Sequence, residues 1–196
     1  KGKGVLYQTR SLRINLTKFE LNSENRRILR KNENLLLETE TIPVVNYNWY
    51  VHSLGKEFYS KRFGDLTFSA QKIKSLVTNI DETNMNLLLT YQNTDKSIGT
   101  NNKPVGYAIC YQNNNLLHYA YPFYDLNVSK DQNLGMGMML NAILFAQSNG
   151  KKYVYLGSVS EPASKYKLQF DGLEWWDNDT KTWSEDLEKV KSLIVV

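Results

Sequence analysis

Two stretches hold residues whose types and spacing could do chemistry. The first is "QNLGMG" at 132–137, followed by Met138 and a long apolar run. Its two glycines, Gly135 and Gly137, stand where a strand pattern gives way to a helix pattern. Glycines allow tight curvature and close approach of backbone N–H groups to a phosphate. The start of a helix adds the positive end of its dipole. The bend around Gly135 and Gly137 is therefore a candidate phosphate cradle. A helix start packed closely against a sheet would show the same pattern. The pattern lacks the first glycine and the later acidic residue of a dinucleotide fingerprint, and no Gly-Lys-Ser/Thr follows as in a P-loop. The second stretch is "YVYLGSVSEPASKYKLQF" at 153–170. It reads as a buried strand and a Ser- and Pro-containing bend that presents Tyr166 and Lys167.

Other reactive side chains are few. The chain has two histidines, His52 and His118, and one cysteine, Cys110. No Ser/His/Asp arrangement can be argued from these, and a single cysteine excludes an internal disulfide and a Cys-rich zinc site. A reducing cytoplasm is the expected compartment. "KGKGVLYQTR" lacks the apolar run of a secretory signal and is read as a processed start. No stretch approaches the roughly 20 apolar residues that span a bilayer.

The net charge of +4 is unevenly placed. Residues 1–31 hold Lys1, Lys3, Arg10, Arg13, Lys18, Arg26, Arg27, Arg30 and Lys31 against Glu20 and Glu24. Such a cluster attracts phosphates in a salt-dependent way. A solvated basic surface is the alternative.

The elements that must position these groups follow from pattern. Alternation over 5–16 predicts a strand. "NSENRRILRKN" (22–32) predicts a short basic helix, with Asn22 or Ser23 as N-cap and Glu24 in the first turn. "TIPVV" reads as extended around Pro43. Residues 46–63 place Trp49, Tyr50, Leu54, Phe58 and Tyr59 near one helical face, although Gly55 weakens that helix by about 1 kcal/mol relative to Ala. "SAQKIKSLVTN" (69–79) is a further helix. The aromatic and β-branched runs 85–92, 103–112 and 115–126 read as strands, with "NNN" at 113–115 as a hairpin connection. A helix over about 134–149, a strand at "KKYVYLG", a short helix near 162–169, a strand at "LEWW" and an amphipathic helix over 184–194 complete the chain. The economical arrangement is one α/β domain over 1–196, a largely antiparallel sheet with a βαβ insert, flanked by helices.

"LNVSKDQNLGMGMML" resembles the acyl-CoA-binding segment of the GNAT N-acyltransferase superfamily, which implies that Gln132, Leu134, Gly135, Met136, Gly137 and Met138 bind the donor, their backbone amides gripping a pyrophosphate. Within that superfamily, "YPFYDL", "NLG", "YVYLG" and "YKLQF…LEWWDNDTKTW" occur in the order found in arginyl-tRNA–protein transferases and their leucyl-transferring relatives. The family's "R-I-x-V-x-x-F…S-x-x-Q-R-R…R-N" segment is similar at Arg13, Ile14, Phe19, Ser23, Arg26, Arg27, Arg30 and Asn32. The resemblance touches residues 7–32 and 119–183. It implies a GNAT fold, with a basic N-terminal segment (1–32) and a core acyltransferase half (85–183).

It further implies transfer of an amino acid from aminoacyl-tRNA to the N-terminal amine of a protein, with an acidic first residue on the acceptor. Direct attack by the amine needs no enzyme nucleophile, and proximity supplies much of the acceleration. By resemblance Tyr166 protonates the leaving group. Asp125 would order the incoming ammonium or take its proton through water. Lys167 would pair with an acidic acceptor side chain or a phosphate. Arg10, Arg13, Arg26, Arg27, Arg30 and Lys31 are the expected tRNA contacts, and internal pairing is the alternative for Arg13. Trp175, Trp176 and Trp183 could stack on bases, although core packing suits them better.

Two departures stand out. The family's N-terminal cysteine motif is not found in this sequence, so no metal or other cofactor is implied. The glycine bend is closer to a CoA-binding pattern than to the family's Ser-Leu-Gly. The donor is therefore left open between aminoacyl-tRNA and acetyl-CoA. A catalytically silent GNAT-fold module that binds RNA or a peptide terminus is a third reading.

Overall fold

The computed structural model describes residues 10–65, 67–94, 103–128, 130–160 and 162–194. Its strands are β1 (Arg10–Asn15), β2 (Leu35–Thr41), β3 (Leu87–Asn93), β4 (Gly106–Gln112), β5 (Leu116–Tyr124), β6 (Tyr153–Val159), β7 (Leu173–Asp177) and β8 (Thr182–Ser184). Its helices are α1 (Ser23–Lys31), α2 (Trp49–Phe63), α3 (Ala70–Thr78), α4 (Leu134–Ser148) and α5 (Leu187–Ser192). The strands form one sheet in the order β2-β3-β4-β5-β6-β1-β7-β8. Every neighbouring pair is antiparallel except β5–β6, which α4 connects as the expected βαβ insert.

Local signals explain the helix starts. Asn22 caps α1 by accepting from the Asn25 amide at 2.9 Å, and Ser69 caps α3 by accepting from the Lys72 amide at 3.1 Å. Each satisfies a donor that the helix cannot. The two faces of the sheet are then covered by different helices. On one face α1, α4 and α5 bury Ile28, Met138, Leu140, Ile143 and Val190 against Leu12, Ile14, Leu117, Val154 and Trp175. On the other, α2 and α3 bury Leu54, Phe58, Ile73 and Val77 against Leu88, Tyr107, Ile109 and Phe123. Each such large aliphatic side chain contributes roughly 1.5–3 kcal/mol on full burial. Gly55, unfavourable by propensity, lies where α2 meets α3: a Cβ there would stand 2.6 Å from Ile73 Cδ1.

The structure corrects several expectations. β2 and β8 are strands that the pattern did not announce. Both are edges, and the mostly exposed "LLLETET" has no buried face to impose alternation. The first strand is described from Arg10, so the expected residues 5–9 lie outside the described residues. The last helix begins at Leu187 because Thr182–Ser184 pair with β7. Trp49 is 63% exposed at the start of α2, off the apolar face expected of it. The short helix expected near 162–169 is present as the 3₁₀ segment Pro162–Gln169.

β5 and β6 position the site. Their parallel pairing covers only Leu116–His118 against Tyr153–Tyr155. Beyond it, β5 continues to Tyr124 paired with β4, and β6 continues to Val159 paired with β1. Register shifts mark both strands: Ala120 is extra on β5, and one residue is extra on β6 between Tyr155 and Ser158, where Gly157 has φ 77°. Bulges bend strands and end pairing. The two strands therefore part into a wedge.

Candidate active site

α4 begins at this wedge. Asn133 adopts a left-handed conformation (φ 50°, ψ 45°) and its side chain caps nothing. The amides of Met136 and Gly137 turn back to the Asn133 carbonyl at 2.9 and 3.0 Å, which leaves the Leu134 and Gly135 amides ahead of the helical ladder. This is the bend that the sequence marks as an anion cradle.

The glycines of that bend answer to packing. A Cβ at Gly135 would lie 2.9 Å from the Tyr124 ring, and one at Gly137 would lie 2.5 Å from Asn32 Cγ. Asn32 in turn donates to the carbonyls of Ile28 (2.9 Å) and Gln132 (2.6 Å), fastening α1 to the bend. Leu134 and Met138 are buried in the core, and the Met138 carbonyl accepts from the Tyr91 hydroxyl at 2.9 Å. Met136 is half-buried, its sulfur 3.9 Å from Gln169 Nε2. The Gln132 carbonyl and the side chains of Leu134 and Met138 thus hold the bend in place, with the leading amides at its open end as candidate ligand contacts.

The turn Pro162–Gln169 brings Tyr166 and Lys167 to the other side of the wedge. Lys167 Nζ donates to the carbonyls of Leu156 (3.0 Å) and Ser158 (3.2 Å), on either side of the Gly157 bulge. No carboxylate pairs with it among the described ion pairs, and burial lowers its pKa. Tyr166 keeps an exposed ring, yet its phenol pKa is raised, by desolvation first and by Tyr124, against an opposing pull from the Arg62 charge. Arg62 Nη2 donates to the Tyr124 hydroxyl at 3.2 Å. Arg62, Tyr124, Gly135 and Tyr166 thus meet at one mouth, and sequence reasoning missed Arg62 and Tyr124. "YPFYDL" carried the only signal for Tyr124, and nothing in "SKRF" singled out Arg62.

Asp125 follows Tyr124 directly. Its Oδ1 accepts from the Asn127 amide (2.8 Å) and Asn127 Nδ2 (2.9 Å), as in an Asx turn. Its charge reaches Tyr50, whose pKa is raised mainly by desolvation and also by Asp125. Cys110 is fully buried with its pKa pushed up by desolvation, which removes it as a nucleophile. Burial lowers the pKa of His118, which packs edge-on to Tyr155.

The expected RNA contacts separate. Arg13 is a correction: its guanidinium lies 4.0 Å from the Tyr153 ring centre and 4.1 Å from that of Trp183, and Nε bonds Glu174 at 2.6 Å. Strand β1 directs it into the protein, where desolvation makes pairing obligatory. Arg27 is paired with Glu24, and Arg26 donates to the Leu21 carbonyl while staying exposed. Lys31 donates to the Asp131 carbonyl at 2.8 Å. Exposed Arg30 and Lys31 line a cavity of about 100 Å³ with Asn32, Gln132 and Leu134, beside the start of α4. Arg10 is half-buried at the beginning of β1. Trp175 is core, as expected, whereas Trp176 and Trp183 are half-buried on the opposite face.

Residues 46–177 match the model of the arginine-tRNA-protein transferase C terminus. The chain belongs to that family. No curated protein matches it. Among solved structures it is similar to L-PGS from Bacillus licheniformis (TM-score 0.55, 10% identity, 81% of this chain and 48% of that one). It is also similar to FemX (TM-score 0.52, 12% identity, 96% and 59%). A third likeness is to the GCN5-related glucosamine N-acetyltransferase region of a fungal multi-domain GH3 β-N-acetylglucosaminidase (TM-score 0.53, 13% identity, 86% and 20%). At these identities the likeness establishes the GNAT fold. The match spans about half the length of L-PGS and less than two thirds of FemX. The wedge between β5 and β6 is the candidate active site. Among the described residues no helix is long and apolar enough to cross a membrane, and no group of three or more His, Cys, Asp or Glu could hold a metal.

Proposed function

We propose that this chain transfers an amino acid from aminoacyl-tRNA to the N-terminal amine of a protein or peptide. The observation that carries this reading is the wedge itself, with leading α4 amides on one side and Tyr166 and Lys167 on the other. Family membership supports aminoacyl-tRNA as donor, and the exposed cations Arg26, Arg30 and Lys31 on α1 suit RNA phosphates. By family resemblance the acceptor begins with an acidic residue.

In the proposed step the neutral amine attacks the ester carbonyl. A C–N bond forms, the bond to the 3′-terminal oxygen of the tRNA breaks, and the Tyr166 hydroxyl donates its proton to that oxygen. Asp125 receives the proton shed by the attacking nitrogen through water. Water then carries that proton from Asp125 to the Tyr166 phenolate, so both side chains end as they began. The raised pKa of Tyr166 keeps its proton in place at neutral pH. Lys167, fixed by two carbonyls, has a third N–H for the carbonyl oxygen that gains charge. Holding both substrates in the wedge supplies up to about 7–11 kcal/mol of the barrier reduction. The single buried cysteine and this donor support a cytoplasmic setting for the reaction.

The second reading, an acyl-CoA-dependent N-acetyltransferase, has the glycine bend and the acetyltransferase-like structural neighbour in its favour. Incubation with labelled aminoacyl-tRNA or acetyl-CoA and peptides with N-terminal Asp, Glu or Ala separates the two. Incorporation from aminoacyl-tRNA is expected. Incorporation from acetyl-CoA alone overturns the proposal, and binding without incorporation leaves a silent RNA- or peptide-binding module.

A further inference from the structure

Arg62 is set apart from its neighbours by the partner it meets. It lies in the last turn of α2 beside Lys61. Lys61 is paired with Glu57 at 2.6 Å, but no carboxylate pairs with Arg62 among the described ion pairs. The hydrogen bond Arg62 makes is to a neutral group, the Tyr124 hydroxyl, at 3.2 Å. It is exposed, and its charge reaches Tyr166. The rest of its donor fork has no carboxylate partner among the described residues, at a place where its charge is felt by Tyr166.

The side from which Arg62 arrives matters. α2 packs on the face of the sheet opposite α4, and Tyr124 touches the cores of both faces. Arg62 thus reaches the mouth from the face that the α4 amides do not occupy. Amine attack requires the acceptor to approach the ester carbonyl from outside its plane, and an acceptor held on the Arg62 side could do so without crossing the donor's phosphates. Donor phosphates have the α4 amides, Arg30 and Lys31 on their own side.

We propose that Arg62 selects the acceptor, binding the side-chain carboxylate of its first residue while the Tyr124 hydroxyl steadies the guanidinium. The inference rests on the transferase reading and assigns its acceptor specificity to one residue. A planar guanidinium binds a carboxylate through two parallel hydrogen bonds, which a lysine at the same place would not reproduce.

The test uses three peptides identical except for N-terminal Asp, Asn or Lys, in two assays with the full chain. One assay measures kcat/KM for transfer from aminoacyl-tRNA; the other measures peptide binding by calorimetry without donor. The wild type is expected to favour Asp over Asn by about tenfold or more in both, the scale of one charge-assisted hydrogen bond. Arg62→Gln should bring the Asp/Asn ratio close to one, and Arg62→Glu should favour Lys over Asp. Tyr124→Phe should weaken the Asp preference while the folded state persists by circular dichroism. An Asp/Asn ratio that stays at its wild-type value in Arg62→Gln, or a wild type that does not discriminate, overturns the proposal. The binding assay decides the matter even if no aminoacyl transfer occurs, a result that would remove the transferase reading separately.

Discussion

Tyr124 fills the space that a side chain at position 135 would need, its Cε1 standing 2.9 Å from where a Cβ would be. The same tyrosine accepts the Arg62 hydrogen bond through its hydroxyl. One side chain on β5 therefore sets the position of the helix start on one side and of an exposed arginine on the other.

Gly135→Ala should disturb the site more than the fold. The added methyl must displace the Tyr124 ring, and overpacking of this kind costs typically about 1–3 kcal/mol. Thermal unfolding should show a modest loss, while kcat/KM falls by about tenfold or more as the Arg62 anchor shifts. Full activity in a stable Gly135→Ala protein would mean that Tyr124 has no part in the site.

Tyr166→Phe removes the proposed proton donor. Transfer should slow by about 100-fold or more, in keeping with general acid catalysis, with donor affinity little changed. Because the phenol pKa is raised, by burial above all, the wild-type rate should show no tyrosine-linked fall below about pH 10. A rate equal to wild type across that range would take Tyr166 out of the mechanism.

Lys167 makes a stability prediction whose sign is fixed by its lowered pKa. The unfolded chain holds this proton more tightly than the folded one, so the lysine's contribution becomes more favourable as pH rises from its folded pKa to its unfolded value near about 10.4. Denaturant unfolding of wild type and Lys167→Met between about pH 7 and 10 isolates the effect. The difference between the two should move in favour of wild type with rising pH; a constant difference would contradict the buried setting.

Arg13→Ala should destabilise the protein by about 3 kcal/mol, since Glu174 would keep a buried charge without its partner. Arg13→Ala with Glu174→Gln should recover part of that loss. RNA affinity of whatever remains folded should be close to wild type. A specific loss of RNA binding would return Arg13 to the RNA-facing surface.

Charge reversal at Arg26 and Arg30 should have the opposite profile. These exposed residues of α1 hold little of the fold together, so stability should change by less than about 1 kcal/mol. RNA affinity should drop, and the slope of log K against log salt should flatten by almost two, one for each phosphate that is no longer neutralised. An unchanged slope would discard this face of α1.

The sequence by itself determined the α/β class, the βαβ unit, the capped helices α1 and α3, and the glycine bend ahead of α4, because each is encoded in residues close along the chain. Family resemblance added the transferase reading through the order of such local motifs. Tertiary structure alone decided why Gly135 and Gly137 are glycines, since the atoms that exclude a side chain belong to Tyr124 and Asn32. It also decided that Arg13 lies between Tyr153 and Trp183 while Arg62 meets Tyr124. Whether an arginine is buried and paired or left open to a ligand depends on which distant strand or helix arrives beside it. Composition and periodicity carry no record of that arrival.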